Sequence, residues 1–165
     1  MKKNRMIPIV LLRNGWIVQS KGFHEYQNLG NPVTSVKRLS EWASDEIIYI
    51  DISNDNNYDT RRDDQGYQNR GNFLEIIQDV SEIAFMPITV GGKIRTLHDI
   101  EDRLKSGADK VCINTMAIQD LNFIADSAKE FGSQCIVISV DSKPIKNQYK
   151  VFANGGRDET EFELS

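Results

Sequence analysis

Cysteine and histidine are scarce, with two of each in 165 residues. Cys112 and Cys135 each sit in an apolar, strand-like run, with no C-x-x-C spacing and no neighbouring histidine. Their expected state is a buried, reduced thiol rather than a disulfide or a metal ligand. His24 falls in a polar loop and His98 in the first turn of a helical pattern. Neither has a metal-ligand constellation around it, so no metal and no cofactor are expected. Long hydrophobic runs are missing too. The run Ile7 to Leu12 falls far short of the roughly 20 residues that span a bilayer. The basic start, Met1 to Arg5, leads into no signal-like core and no small-residue cleavage site. A cytoplasmic protein without a membrane partner is expected. There is no excess of positive charge: a net charge of −4 and a pI of about 5.2 give no reason to expect nucleic acid.

What is present suits one globular core: 39% hydrophobic and 27% charged residues in a chain of single-domain length. Short β-branched runs alternate with helical patterns. Ile7 to Leu12 reads as a buried strand, closed by the turn Asn14-Gly15, with Trp16-Ile17-Val18 as a short return. Asn31-Pro32 starts a helix through Val36, Leu39 and Trp42 to about Ala43. Trp16 and Trp42 are both expected to pack. Glu46 to Ile52 is a second strand, apolar on both faces as in a covered parallel sheet. Residues 53–71 form a long polar loop insertion, too long for an ordinary strand–helix connection. Asn72 starts a second helix with Phe73, Ile76, Ile77 and Val80 on one stripe. Pro87 to Val90 is a third strand ending at Gly91-Gly92. Thr96 caps a third helix that ends at Gly107, and Lys110 to Ile113 is a fourth strand. Asp120 caps a fourth helix with Leu121, Ile124, Ala125 and Ala128 inward, ending before Gly132. Cys135 to Asp141 reads as a fifth strand, followed by a short extension and turn over Tyr149 to Gly156.

The order (βα)₄β is shared by an open doubly wound sheet and by a (β/α)₈ barrel. No G-x-G-x-x-G follows the first strand, which counts against dinucleotide binding. In either architecture chemistry belongs at the C-terminal ends of the strands. Those ends carry Leu11-Leu12, Asp51, Gly91-Gly92-Lys93, Asn114-Thr115 and Asp141. Glycines with Asn and Thr can cradle a phosphate through backbone N–H groups and a hydroxyl, although a Gly-Gly pair also serves as a plain tight turn. Asp51 and Asp141 are candidate acid/base or substrate-binding groups. Arg61 and Arg62 beside Asp63 and Asp64 read as a solvated loop rather than a substrate clamp.

Three segments together carry a resemblance: Ile88 to Arg95 (ITVGGKIR), Gly107 to Thr115 (GADKVCINT) and Phe131 to Val137 (FGSQCIV). With Asp45-Glu46, Asp51-Ile52 and Gly30 to Val33, they resemble the cyclase subunit of imidazole glycerol phosphate synthase over nearly the whole chain. The resemblance implies a (β/α)₈ TIM barrel, here residues 1–165 as its N-terminal part with about five of eight strands. It implies a lyase of histidine biosynthesis that takes ammonia from a glutaminase partner through the barrel interior and adds it to a phosphorylated small-molecule substrate. Carried over residue by residue, Asp141 matches one catalytic aspartate, and Gly91, Gly92 and Asn114 match a phosphate site with Thr115 adjacent. Arg5, Glu46 and Lys110 match three members of the charged ammonia gate at the barrel base, and Asp109 and Gln134 match partner-facing positions.

The sequence also departs from that pattern. The other catalytic aspartate falls on Leu11, which cannot move a proton, and the loop-one lysine falls on Gln19, with Lys21 nearby. The third glycine of the phosphate loop is Lys93, read here as a direct charge contact to phosphate or another acidic group. What is retained is ammonia entry and docking, while the cyclising machinery is altered. The pattern resembles paralogous subunits that amidate bacterial surface sugars with a glutaminase partner. A non-catalytic docking subunit and a sugar-phosphate isomerase of the same fold are the further readings.

Overall fold

A computed structural model describes residues 4–21, 25–42, 44–61, 63–64, 66–146 and 148–164, with the side chains of 63, 64, 67 and 164 left aside. The sequence-based readings of His24, Ala43 and Arg62 lie outside the described residues. The chain divides into two compact units, Met1–Val111 and Cys112–Ser165.

The first unit begins with β1 (Ile9–Arg13) and β2 (Trp16–Lys21), joined by Asn14 and Gly15. Both turn residues have positive φ, 51° and 84°, the geometry of the two-residue hairpin turn whose twist matches its strands. The return is longer than the three residues expected. β2 runs to Lys21 and pairs with an unforeseen strand β3 (Glu25–Gly30), whose polar residues hid it from hydropathy. α1 (Pro32–Glu41) starts where Asn31 accepts hydrogen bonds from the Val33 and Thr34 amides. Trp16 is buried, but Trp42, one residue past the helix, is 69% exposed, against the expectation that it packs.

β4 (Ile47–Asp51) lies parallel to β1, with Leu12 opposite Asp51, and parallel to β7 (Ile88–Gly91), with Ile50 opposite Gly91. Its β-branched residues fill both faces, as a covered strand requires. The sheet order in this unit is β3-β2-β1-β4-β7. Between β4 and β7 the polar insertion is partly ordered: β5 (Asp63–Asp64) and β6 (Tyr67–Gln68) form a small hairpin. Asn69 fastens it, donating from Nδ2 to the carbonyls of Asn14 and Asp59. The side chain of Asn72 accepts from the Glu75 amide at the start of α2 (Phe73–Ile83), which buries Phe73, Ile76, Ile77 and Val80 as expected. Thr96 and Asp99 form a reciprocal capping box on α3 (Leu97–Lys105). At Ile88, Asp109 bonds both the carbonyl, through its amide, and the amide, through its carboxylate, and β8 (Lys110–Ile113) follows.

The second unit departs more from expectation. After β8 comes α4 (Thr115–Gln119), which the sequence reading did not include, and then α5 (Leu121–Phe131). Leu121 is 64% exposed and Ala125 is exposed, while Phe123 and Ser127 are buried. The stripe is therefore turned from the predicted one, and the Ser127 hydroxyl is satisfied by the Phe123 carbonyl one turn back. Cys135 ends a 3₁₀ turn, Ser133–Cys135, and β9 is only Ile136–Ile138. The Ser139 amide still bonds the Ile113 carbonyl on β8. Asp141 is not the last residue of a parallel strand: it opens β10 (Asp141–Ile145), antiparallel to β11 (Gln148–Ala153), which pairs with β12 (Asp158–Leu164). The run from Cys135 to Asp141 conceals the break because hydropathy does not register where ladder bonds stop. Pro144 is tolerated because β10 is an edge strand.

The backbone at Gly92 lies close against β4. Gly92 has φ +102°, and a Cβ there would lie 2.2 Å from the Asp51 carbonyl oxygen. Gly92→Ala should destabilise the chain by about 2–4 kcal/mol in urea unfolding, since neither the backbone conformation nor the carbonyl can give way cheaply. Gly155→Ala, at φ +67° with open space around it, should cost only about 1 kcal/mol.

Candidate functional site

The C-terminal ends of β4 and β7 meet around Asp51, whose side chain is 3% exposed. One oxygen, Oδ1, accepts from the Ser53 amide at 2.9 Å and the Ser53 hydroxyl at 2.5 Å. The other, Oδ2, faces the Lys93 ammonium at 3.0 Å. The Ser53 hydroxyl also accepts from the Asn14 amide at 2.7 Å, so the hairpin turn of β1 is tied to the same carboxylate. Below lies Arg103, buried on α3, which donates to the carbonyls of Asp99 and Gly92 at 2.7 and 2.8 Å. Burial lowers the Arg103 pKa, with the charges of Asp99 and Asp51 pulling the other way. Tyr58 is buried nearby, and burial and then the Asp51 charge push its phenol well above the ordinary value.

An open cleft of about 770 Å³ lies against these groups. Asn54, Asp55, Asn56, Asn57 and Asn72 line it from the insertion side, and Asp51, Lys93, Arg95, Asp99 and Arg103 from the strand and helix side. The cleft is polar and bears charges of both signs, so it suits a ligand that carries hydroxyls and an anionic group. Tyr58, Ser53 and Arg103 were not singled out by sequence. Their roles depend on tertiary neighbours, and only the Asp51-x-Ser53 spacing, which permits an Asx turn, signalled one of them.

At the opposite end of β4 is a second buried carboxylate. Glu46, 7% exposed, accepts from Lys110 Nζ at 2.8 and 2.9 Å and from the Thr89 hydroxyl at 2.7 Å. Burial alone pushes the Glu46 carboxyl up. The hydrogen bonds from Lys110 and Thr89, with the charges of Lys110 and Arg5, outweigh it and hold the group below its usual range. Arg5, Glu46 and Lys110 therefore gather at the N-terminal ends of β1, β4 and β8. Thr89, fully buried on β7, is a partner that sequence reading passed over as a strand former.

Leu11 is half-buried in β1 of the first unit, beside the fully buried Leu12. In the second unit, Asn114 precedes α4 without capping it through its side chain, and the Thr115 hydroxyl stands 3.5 Å from Asn114 Oδ1. Asp141 is partly buried opposite Phe152. Burial, and to a lesser degree the Asp141 charge, raises the Cys112 thiol pKa, in keeping with a reduced, inert cysteine. Gln134 is exposed in the 3₁₀ turn, and Asp109 is exposed before β8. No group of three or more metal-ligating side chains occurs among the described residues.

The Glu46 pair carries a pH signature. A carboxyl held below its unfolded value of about 4.5 adds stability above that pH and loses it as pH falls through the folded value. Lys110→Met leaves the buried carboxylate without its ammonium and should cost about 2–4 kcal/mol at neutral pH. The gap between wild type and variant should narrow as pH falls through the lowered folded value, where Glu46 takes up a proton in both. Urea unfolding from neutral pH down through that value measures it, and a gap independent of pH would show that the pair contributes no charge energy.

Sequence comparison adds a family to this geometry. The profile described as "Histidine biosynthesis protein" matches residues 5–165. Two similar proteins are the imidazole glycerol phosphate synthase subunits HisF of Campylobacter concisus and Oceanobacillus iheyensis. The first is 38% identical over 156 residues, covering 94% of this chain and 58% of that protein. The second is 40% identical over 161 residues, covering 97% and 59%. The chain thus spans less than two thirds of the length of these curated relatives. The parallel α/β order is that of an incomplete (β/α)₈ barrel, and the chain belongs to the histidine biosynthesis protein family.

Proposed function

We propose that this chain belongs to an ammonia-accepting synthase subunit of the imidazole glycerol phosphate synthase type, acting with a glutaminase partner on a phosphorylated small-molecule substrate. The observation that carries the reading is the buried Glu46 carboxylate held by Lys110 and Thr89 within reach of the Arg5 charge. Paired charges at a strand entrance admit a small neutral amine while disfavouring bulk ions, and they suit ammonia delivered from below. Met6, 55% exposed, and Phe85, 95% exposed, are proposed as apolar contacts for docking, and Asp109 and Gln134 as polar ones. Asp141 is proposed as the acid/base group, and Gly91, Gly92, Lys93, Asn114 and Thr115 as phosphate contacts, with Asp51 orienting the substrate.

Leu11 in β1 and Lys93 in the glycine turn favour a second reading, in which the acceptor is a surface-polysaccharide sugar rather than the histidine precursor. A docking subunit without turnover is the remaining reading, because Leu11 supplies no proton.

The decisive experiment reconstitutes the protein with a glutaminase subunit and follows product from glutamine and from added ammonium salt. Asp141→Asn should lower turnover from either source by about 10²–10⁴-fold with little change in thermal midpoint. Glu46→Gln should lower glutamine-driven turnover several-fold more than ammonium-driven turnover. No product from either source would overturn the synthase reading. Equal losses from both sources would remove the delivery role of Glu46.

A further inference from the structure

Lys93 follows the Gly91-Gly92 turn with φ +55°, a left-handed conformation that residues with side chains seldom adopt. What its side chain does there is specific. A lysine ammonium has three N–H donors. One faces Asp51 Oδ2 at 3.0 Å, on the buried end of β4. A second meets the Asp55 carbonyl at 2.5 Å, on the exposed segment Asn54 to Asn57 that forms the cleft rim. The Lys93 side chain is 21% exposed and lines the cleft, so its remaining donor is within reach of a ligand.

A further observation places ligand-binding capacity in the same region. Arg103, 8% exposed beneath the cleft, has an unpartnered Nε. Buried donors without acceptors are costly, and an acceptor oxygen entering nearby offsets that cost. Of the carboxylates in the lining, Asp51 is held by Lys93 and Ser53. Asp99 is held by Thr96 and the Arg95 amide, and Asp102 lies beside His98. Asp55 is exposed to solvent, where its repulsion of an anion is screened.

We infer that Lys93 couples the Asn54 to Asn57 rim to occupancy of the cleft by an oxyanion: one ammonium holds the wall at Asp51, the rim at Asp55 and the ligand's oxygen together. Lys93 is thus a positioning residue for the rim as well as a charge contact. The identity of the ligand as a phosphate-type oxyanion rests on the function proposed above, whereas the tie between wall and rim does not.

Amide hydrogen exchange over residues 54–57 tests this in the full chain, with and without inorganic phosphate, for wild type, Lys93→Met and Lys93→Gly. Without phosphate, both variants should exchange roughly tenfold or more faster across the rim, with α3 unchanged. Phosphate should slow the wild-type rim several-fold and leave the Lys93→Met rim unaffected. Lys93→Gly relieves the left-handed strain, so it should lose less thermal stability than Lys93→Met while its rim loosens as much, a split that a merely structural lysine would not give. This variant also keeps the test open if Lys93→Met folds poorly. Wild-type exchange rates in both variants would overturn the inference, as would equal protection of Lys93→Met and wild type by phosphate. A wild-type rim indifferent to phosphate would overturn the coupling and leave the ammonia-delivery assay to stand or fall separately.

Discussion

β4 has a buried carboxylate at each end, and both need a cation. Glu46 enters the strand and Asp51 closes it, each less than a tenth exposed. An ionised carboxylate removed from water without a partner costs several kcal/mol, so the neighbouring elements must supply charge at these two places. They do so with lysines from far along the chain: Lys93 meets Asp51, and Lys110, 64 residues on, meets Glu46. The parallel pairing of β4 with β7, and β8 on the far side of β7, bring these partners to opposite ends of one strand.

The two pairs differ in surroundings. At Glu46 the carboxylate has Lys110 on both oxygens and a hydroxyl from Thr89, and the cluster is closed by rigid strand residues. At Asp51 the partners come from loops: Ser53 from the insertion and Lys93 from a strained turn. The first arrangement resists rearrangement. The second permits it, since its lysine also holds the exposed backbone at Asp55. One end of β4 thus carries a closed charged cluster, and the other a polar cleft whose rim is held by a lysine.

Much of the first unit was legible from residue patterns. Asn31-Pro32, Asn72 with Glu75, and Thr96 with Asp99 mark helix starts because local side chains satisfy the first amides of each helix, and such signals need no distant partner. The gathering of Arg5, Glu46 and Lys110 followed from resemblance, and the geometry then added Thr89. The insertion after β4 read only as polar. Its order comes from Asn69 reaching the carbonyl of Asn14, 55 residues away, and from Ser53 joining Asp51 to the Asn14 amide. Such long-range bonds leave no trace in composition or periodicity.

The sequence by itself determined the alternation of strands and helices, the capping residues, the glycine turn after β7 and the buried character of β4. Those features follow from local sterics and from which side chains leave water. Tertiary structure alone decided where the second unit breaks its pattern. Ile136 to Ile138 stop pairing early and Asp141 opens an antiparallel strand, because ladder bonds end where a neighbouring backbone ends and not where hydropathy falls. It also decided that Lys93 turns back to Asp51, since a lysine's long, flexible side chain goes to whichever buried anion lies within its reach.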